Sequence, residues 1–243
     1  MDPWGSDMTV MENGHAGARA RRRVIRLAVL FVPLLAACAA LQPAVAPAIQ
    51  RYLLALPVPT PAPATVVGPV LVVEPPAAAP GLQGRGMVYV RRPYQLAYFA
   101  RHGWVDPPAR MLEPLLVQAL QRQAGFRTVP AALGGVAGDL RLETRILRLQ
   151  QEFTVHPSRE RLVLQAWLID ARSGRVLADR VFEAIEPAPG NDPYSGVQAA
   201  NRAVAKVLTQ LAVFCRAQVR DRAAASGVPR AASPATPAHS GPG

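Results

Sequence analysis

The chain has 243 residues and a formal net charge of +11, from 27 Lys and Arg against 16 Asp and Glu. Lys206 is the single lysine, and five arginines (Arg19, Arg21, Arg22, Arg23, Arg26) stand just before an apolar run, where an export signal carries its positive flank. The remaining arginines are dispersed among alternating strand residues rather than gathered with aromatics into a stripe, which argues against nucleic acid.

Cysteine is too scarce for a disulfide framework, since Cys38 and Cys215 are the only two. Once both unusual ends are set aside, about 170 residues remain, enough for one domain that buries roughly two-thirds of its unfolded surface without disulfide or metal.

The apolar run from Leu27 to Ala37 contains Pro33 and is about half the length a bilayer-spanning helix needs. Residues 1–37 therefore read as a signal peptide, with translation starting at Met1, Met8 or Met11. The stretch Leu35-Ala36-Ala37-Cys38 resembles the lipobox of bacterial lipoproteins. That resemblance implies diacylglycerol on the Cys38 thiol, cleavage before it, and an amide-linked acyl chain on the new N-terminus. Several acyl tails hold where one would not, because each buried methylene contributes about 0.8 kcal/mol. Ala39 resembles the outer-membrane pattern of enteric-type sorting, and "RRRVIR" resembles a twin-arginine signal with Ala20 where Ser or Thr is usual. No other cofactor is expected.

Residues 38–68 are rich in Pro and Ala and predict a semi-rigid tether, interrupted at 51–56 by "RYLLAL", a candidate edge strand. Residues 69–219 form the expected domain. "PVLVVEP", "GMVYVRR" and "YQLAYFA" are short candidate strands bounded by Pro and Gly. In "VDPPARMLEPLLVQALQRQAG" the period changes to helical, with Asp106 as the expected cap, Pro107 at the first helical position, and Met111, Leu112, Leu115, Leu116, Ala119 and Leu120 on one face. Pro114 is expected to kink that helix and Gly125 to end it.

From Leu140 the apolar residues alternate as in a half-buried strand, and a parity slip at Leu147 and Leu149 predicts a bulge. "RLVLQAWLID" and "RVLADRVFEAI" predict a hairpin across "ARSG", the first strand central and apolar on both faces. A second helix is expected from Asp192-Pro193, its stripe running through Val197, Ala200, Val204, Val207, Leu208, Leu211 and Phe214. Residues 220–243 read as a disordered tail. The fold class is α+β: an antiparallel or mixed sheet with two amphipathic helices on one face, in a single domain.

The order of a lipobox, "RYLL", "YVRRPYQLAYFARHGWVDPPARMLEPLLVQALQ", the hairpin "LIDARSGRVLADRVFEA" and a closing Ala/Val/Leu helix is similar to the ABC-type transport auxiliary lipoproteins, the PqiC-like family. The resemblance covers about Arg51 to Val219. It implies a periplasm-facing accessory subunit serving an ABC permease, its ATPase and a membrane-anchored protein with mammalian-cell-entry (MCE) domains, in a system that moves phospholipid between membranes.

Chemistry of its own is poorly supported. His102, His156 and His239 have no partner at metal-ligand spacing, and no nucleophile elbow or phosphate-cradling loop is present. Cys215 reads as a buried structural thiol. Binding is better supported: Arg91, Arg92, Tyr94, Tyr98, Arg101 and Trp104 combine aromatic anchors with cations as interface hot spots do. For Trp104 and Phe99 the competing reading is core packing beneath the first helix. Arg91 and Arg92 suit a lipid phosphate or an acidic partner patch equally. Two other function classes stay open, an outer-membrane lipoprotein that activates a cell-wall synthase and a stand-alone lipid carrier. Edge strands are compatible with a ring-like homo-oligomer.

Overall fold

The computed structural model describes residues 48–57, 67–122, 125–132 and 135–225. The signal peptide, Cys38, most of the tether and the tail beyond Ala225 lie outside the described residues.

The described chain folds as one mixed sheet with two helices, an α+β arrangement as expected. The long strand Leu140–Glu152 (β6) organises it. Along one side β6 pairs antiparallel with Arg159–Asp170 (β7), which pairs in turn with Val176–Pro187 (β8). Along the other side three shorter strands dock in parallel, one after another: Leu71–Val73 (β2) opposite Leu140–Leu142, Ala77–Ala78 (β3) opposite Arg145–Ile146, and Gly86–Arg92 (β4) opposite Gln150–Glu152. β4 turns through Pro93-Tyr94 into Gln95–Trp104 (β5), and Gln50–Tyr52 (β1) runs parallel to β5 as the edge strand.

The "RYLLAL" segment thus belongs to the domain rather than to the tether. β1 is shorter than expected, but Leu54 is buried and the Ala55 N–H donates to Asn201 Oδ1 at 2.7 Å. The bulge expected near Leu147 is present, as the β6–β7 register shifts between Ile146 and Arg148. The β7–β8 hairpin is also as expected. Its turn has Gly174 at a φ of 70°, and Asp170 Oδ1 accepts from the backbone N–H of Arg172 and Ser173.

The helices are Pro108–Gln121 (α1) and Pro193–Ala225 (α2). Both lie on the sheet face formed by Leu71, Val73, Leu142, Ile146, Leu162, Leu164, Leu168 and Phe182, each at most 2 % exposed. α2 meets that face with Ala199, Ala200, Ala203 and Ala212 among its larger residues, so its backbone approaches the strands closely. Phe214, expected on the buried stripe, is half-buried instead and packs edge-on against Phe182 beneath the Arg180 guanidinium. β7 is central, but only one of its faces carries a continuous apolar run, Leu162, Leu164, Ala166 and Leu168, between Glu160 and Asp170; Arg159, Arg161 and Gln165 share its other face with Val163 and Trp167. α2 extends past Arg220 to Ala225, so the expected tail begins as helix.

The two Asp-Pro starts differ. Asp192 caps α2: its Oδ1 accepts from the Ser195 N–H at 3.0 Å, and hydrogen bonds from the Ser195 hydroxyl and N–H hold its carboxyl below the usual range. Asp106 does not cap α1. Pro107 precedes another proline, which disfavours the helical region, and it sits extended at φ −50° and ψ 136°, so the helix begins one residue later. Asp106 is left to pair with Arg85 and Arg110 at 3.2 and 3.7 Å. Pro114 stands inside α1 on an exposed face, where the carbonyl it leaves without a donor meets water.

Candidate functional site

The candidate binding residues gather around the β4–β5 hairpin, but the structure divides them. Trp104 is 3 % exposed and packed in the core, so no partner can touch it; for this residue the core reading holds. Tyr98 lies on the opposite face of the hairpin from the helices, its ring over Gly86 where a Cβ would come within 2.7 Å, and its hydroxyl donates to the Gly81 carbonyl at 2.9 Å. It staples the β3–β4 connection to the sheet while remaining half exposed. Arg91, Arg92, Tyr94 and Arg101 are exposed. Tyr94 occupies the two-residue turn at a φ of 66°, the sole non-glycine with a positive φ among the described residues.

Face assignment by alternation fails here for a geometric reason. Val88 pairs with Tyr98 but Gly86 with Gly103, so β5 spends five residues where β4 spends two. Parity along β5 is lost across that stretch.

On the helix side of the hairpin, around the N-terminus of α2, five segments contribute rings to one partly exposed array. Tyr89 packs tilted against Phe99 at 4.5 Å, and Phe153 meets both edge-on at 5.9 and 6.2 Å. Phe99 contacts His102 at 6.1 Å, His102 stacks on Tyr52 within 6° of parallel, and Tyr52 reaches Tyr194 at 6.0 Å. The Tyr52 hydroxyl is held by Gln50 Oε1 at 2.6 Å and His102 Nδ1 at 3.1 Å. Arg91 lies over Tyr89 and Phe153, 5.5 and 5.7 Å from their centroids. Such cation–π contacts contribute about 0.5–1 kcal/mol at exposed sites and orient the guanidinium. Every ring of this array keeps some exposure to solvent. Tyr52, Phe153 and Tyr194 were not singled out from the sequence, because only tertiary pairing brings them together.

Next to the array a buried polar network fixes the start of α2. Gln151 Nε2 donates to Ser158 Oγ and to the Asp192 carbonyl, and Asn191 Oδ1 accepts from the Ser158 N–H. On the strand next to Gln151, burial and the neighbouring Glu152 charge push the Glu160 carboxyl well above the usual range. Burial also raises Glu152, but hydrogen bonds from Arg161 and Arg159 outweigh it and hold that carboxyl below its usual value. Cys215 is fully buried, and burial pushes its thiol up to about 12, which suits the structural role expected of it. Among the described residues no cluster of three His, Cys, Asp or Glu comes together, and no helix is long and apolar enough to cross a membrane.

A family model described as the ABC-type transport auxiliary lipoprotein component matches residues 52–212, well over half of the chain. The chain belongs to that family. The auxiliary lipoproteins are a transport component, non-catalytic in kind, and the matched region runs from the end of β1 into the middle of α2. No curated protein matches. Among solved structures, the chain is similar to protein XCC0632 from Xanthomonas campestris, with 22 % identity and a TM-score of 0.63 over 72 % of this chain and 99 % of that one. An uncharacterised protein is similar at 18 % identity and a TM-score of 0.56, over 69 % and 99 %. At these identities the likeness is one of fold: the auxiliary-lipoprotein domain is the mixed sheet with two helices on one face.

Proposed function

We propose that this auxiliary lipoprotein is anchored through Cys38 in the outer membrane, faces the periplasm, and is the docking subunit of an ABC/MCE-type system that moves phospholipid between membranes. In this reading it has no catalytic role. The permease and ATPase supply the energy, and the MCE-domain protein is its direct partner. The observation that carries the docking role is the partly exposed array of Tyr52, Tyr89, Phe99, His102, Phe153 and Tyr194 under Arg91. Aromatic rings with an arginine rim are the residue types on which interfaces concentrate their energy. The array also rests on β6 and on the capped start of α2, so its rings are ordered before a partner arrives and less entropy is lost on docking.

Tyr194 is 57 % exposed at the rim, and a photoreactive phenylalanine analogue there tests the assignment in intact envelopes. The expected adduct is the MCE-domain protein, with the yield falling when Arg91→Glu is added. Adducts to a cell-wall synthase, or to copies of this chain alone, would overturn it.

A further inference from the structure

We infer that the tip of the β4–β5 hairpin is a second membrane contact, seating Arg92, Tyr94 and Leu96 among the anionic phospholipid headgroups of the leaflet that holds the anchor. The inference rests on acylation at Cys38.

Charge is the first support. No acidic residue occurs between Glu74 and Asp106, a stretch that includes Arg85, Arg91, Arg92 and Arg101. None of the ion pairs among the described residues involves Arg91, Arg92 or Arg101. These guanidiniums are thus available to phosphate, which attracts basic segments at an anionic surface.

Shape is the second. β4 leaves β6 at Glu152, so residues 91–96 project beyond the long strands as a two-stranded ribbon, every one of them exposed. At its end Tyr94 is fully exposed and Leu96 is 49 % exposed, an amphipathic ring and an apolar side chain of the kind that settles at headgroup depth.

Chain direction is the third. β1 runs parallel to β5 with Gln50 opposite His102, so Ala48 and Ile49 enter β1 from the tip side. The twelve residues from Cys38 to Gln50 can span at most about 40 Å, and the eight from Tyr94 to His102 about 25 Å, so a chain of that length permits the tip to meet the membrane that holds the anchor.

The test uses the full acylated protein in vesicles, with an environment-sensitive fluorophore attached through Tyr94→Cys. Cys215 is buried and Cys38 carries the lipid, so the label goes to position 94. A control label through Ser173→Cys sits at the opposite end of β7. With anionic phosphatidylglycerol present, the label at 94 shifts to the blue and is quenched several-fold more than that at 173 by spin-labelled lipid. Arg92→Gln, or salt raised from about 0.05 M to about 0.5 M, reverses this. A water-like spectrum at 94 in anionic vesicles overturns the inference, as does protection that appears only when the MCE-domain protein is added. Intact mass of the same sample separates the two readings: a chain without acyl mass removes the anchor and this inference together, whereas an acylated chain with an unshifted label removes this inference alone.

Discussion

Tyr94 holds a backbone conformation that glycine adopts freely and that costs a residue with a Cβ about 1–2 kcal/mol. Its ring touches nothing that would offset this within the domain, which is what a residue kept for an external contact looks like. Tyr94→Gly is therefore expected to raise resistance to urea by up to about 1 kcal/mol, after the added freedom of glycine in the unfolded chain, while weakening the vesicle contact that Arg92 and Leu96 still make. Loss of stability in that variant would mean the ring has an internal role. Glu160 makes a different residue-scale prediction. Its folded-state pKa lies above the unfolded value, so over the interval between them the unfolded chain has released a proton that the folded chain keeps. Stability falls as pH rises through that window. Glu160→Gln should stabilise the protein more at about pH 8 than at about pH 4, read from unfolding midpoints; an equal change at both would show that the carboxyl is not held protonated.

The helix starts show how one motif gives two outcomes. Asp192→Ala removes a hydrogen-bonded cap and should cost about 1 kcal/mol by urea unfolding. Asp106→Ala breaks only solvent-exposed pairs with Arg85 and Arg110 and should cost about 0.5 kcal/mol or less. Equal costs would contradict the cap assignment. Asp-Pro was readable in both places, but the second proline that delays α1 acts through the backbone of its predecessor, a rule that alternation and helical period do not contain. The long elements were legible because each buries one face for many residues: the β6 alternation, its bulge and the apolar stripes of both helices follow from that. β3 was not legible, since two alanines carry no period and its existence depends on the free side of β6. The ring array was invisible for the same reason, as its members come from β1, β4, β5, the end of β6 and α2.

The whole molecule has two distinct ends. α2 begins beside Gln151, near the ribbon and the ring array, and its last turns reach the β7–β8 hairpin, where Arg222 bonds Asp170. That hydrogen bond, followed by those from the Ser173 N–H and hydroxyl, holds the Asp170 carboxyl well below the usual range. The stabilisation is fully present above the ordinary carboxylate pKa and disappears only as pH falls through the depressed one, so this contact keeps its full contribution at neutral pH. The ribbon, the array and the start of β1 lie at the other end. The central claim, an acylated subunit of the outer membrane, is tested most directly by intact mass and membrane fractionation of the full chain in a Gram-negative host, wild type beside Cys38→Ser. Wild type is expected to give a mass that begins at acylated Cys38 in the outer-membrane fraction, absent from the variant; an uncleaved, unacylated chain in the cytoplasm would contradict outer-membrane anchoring.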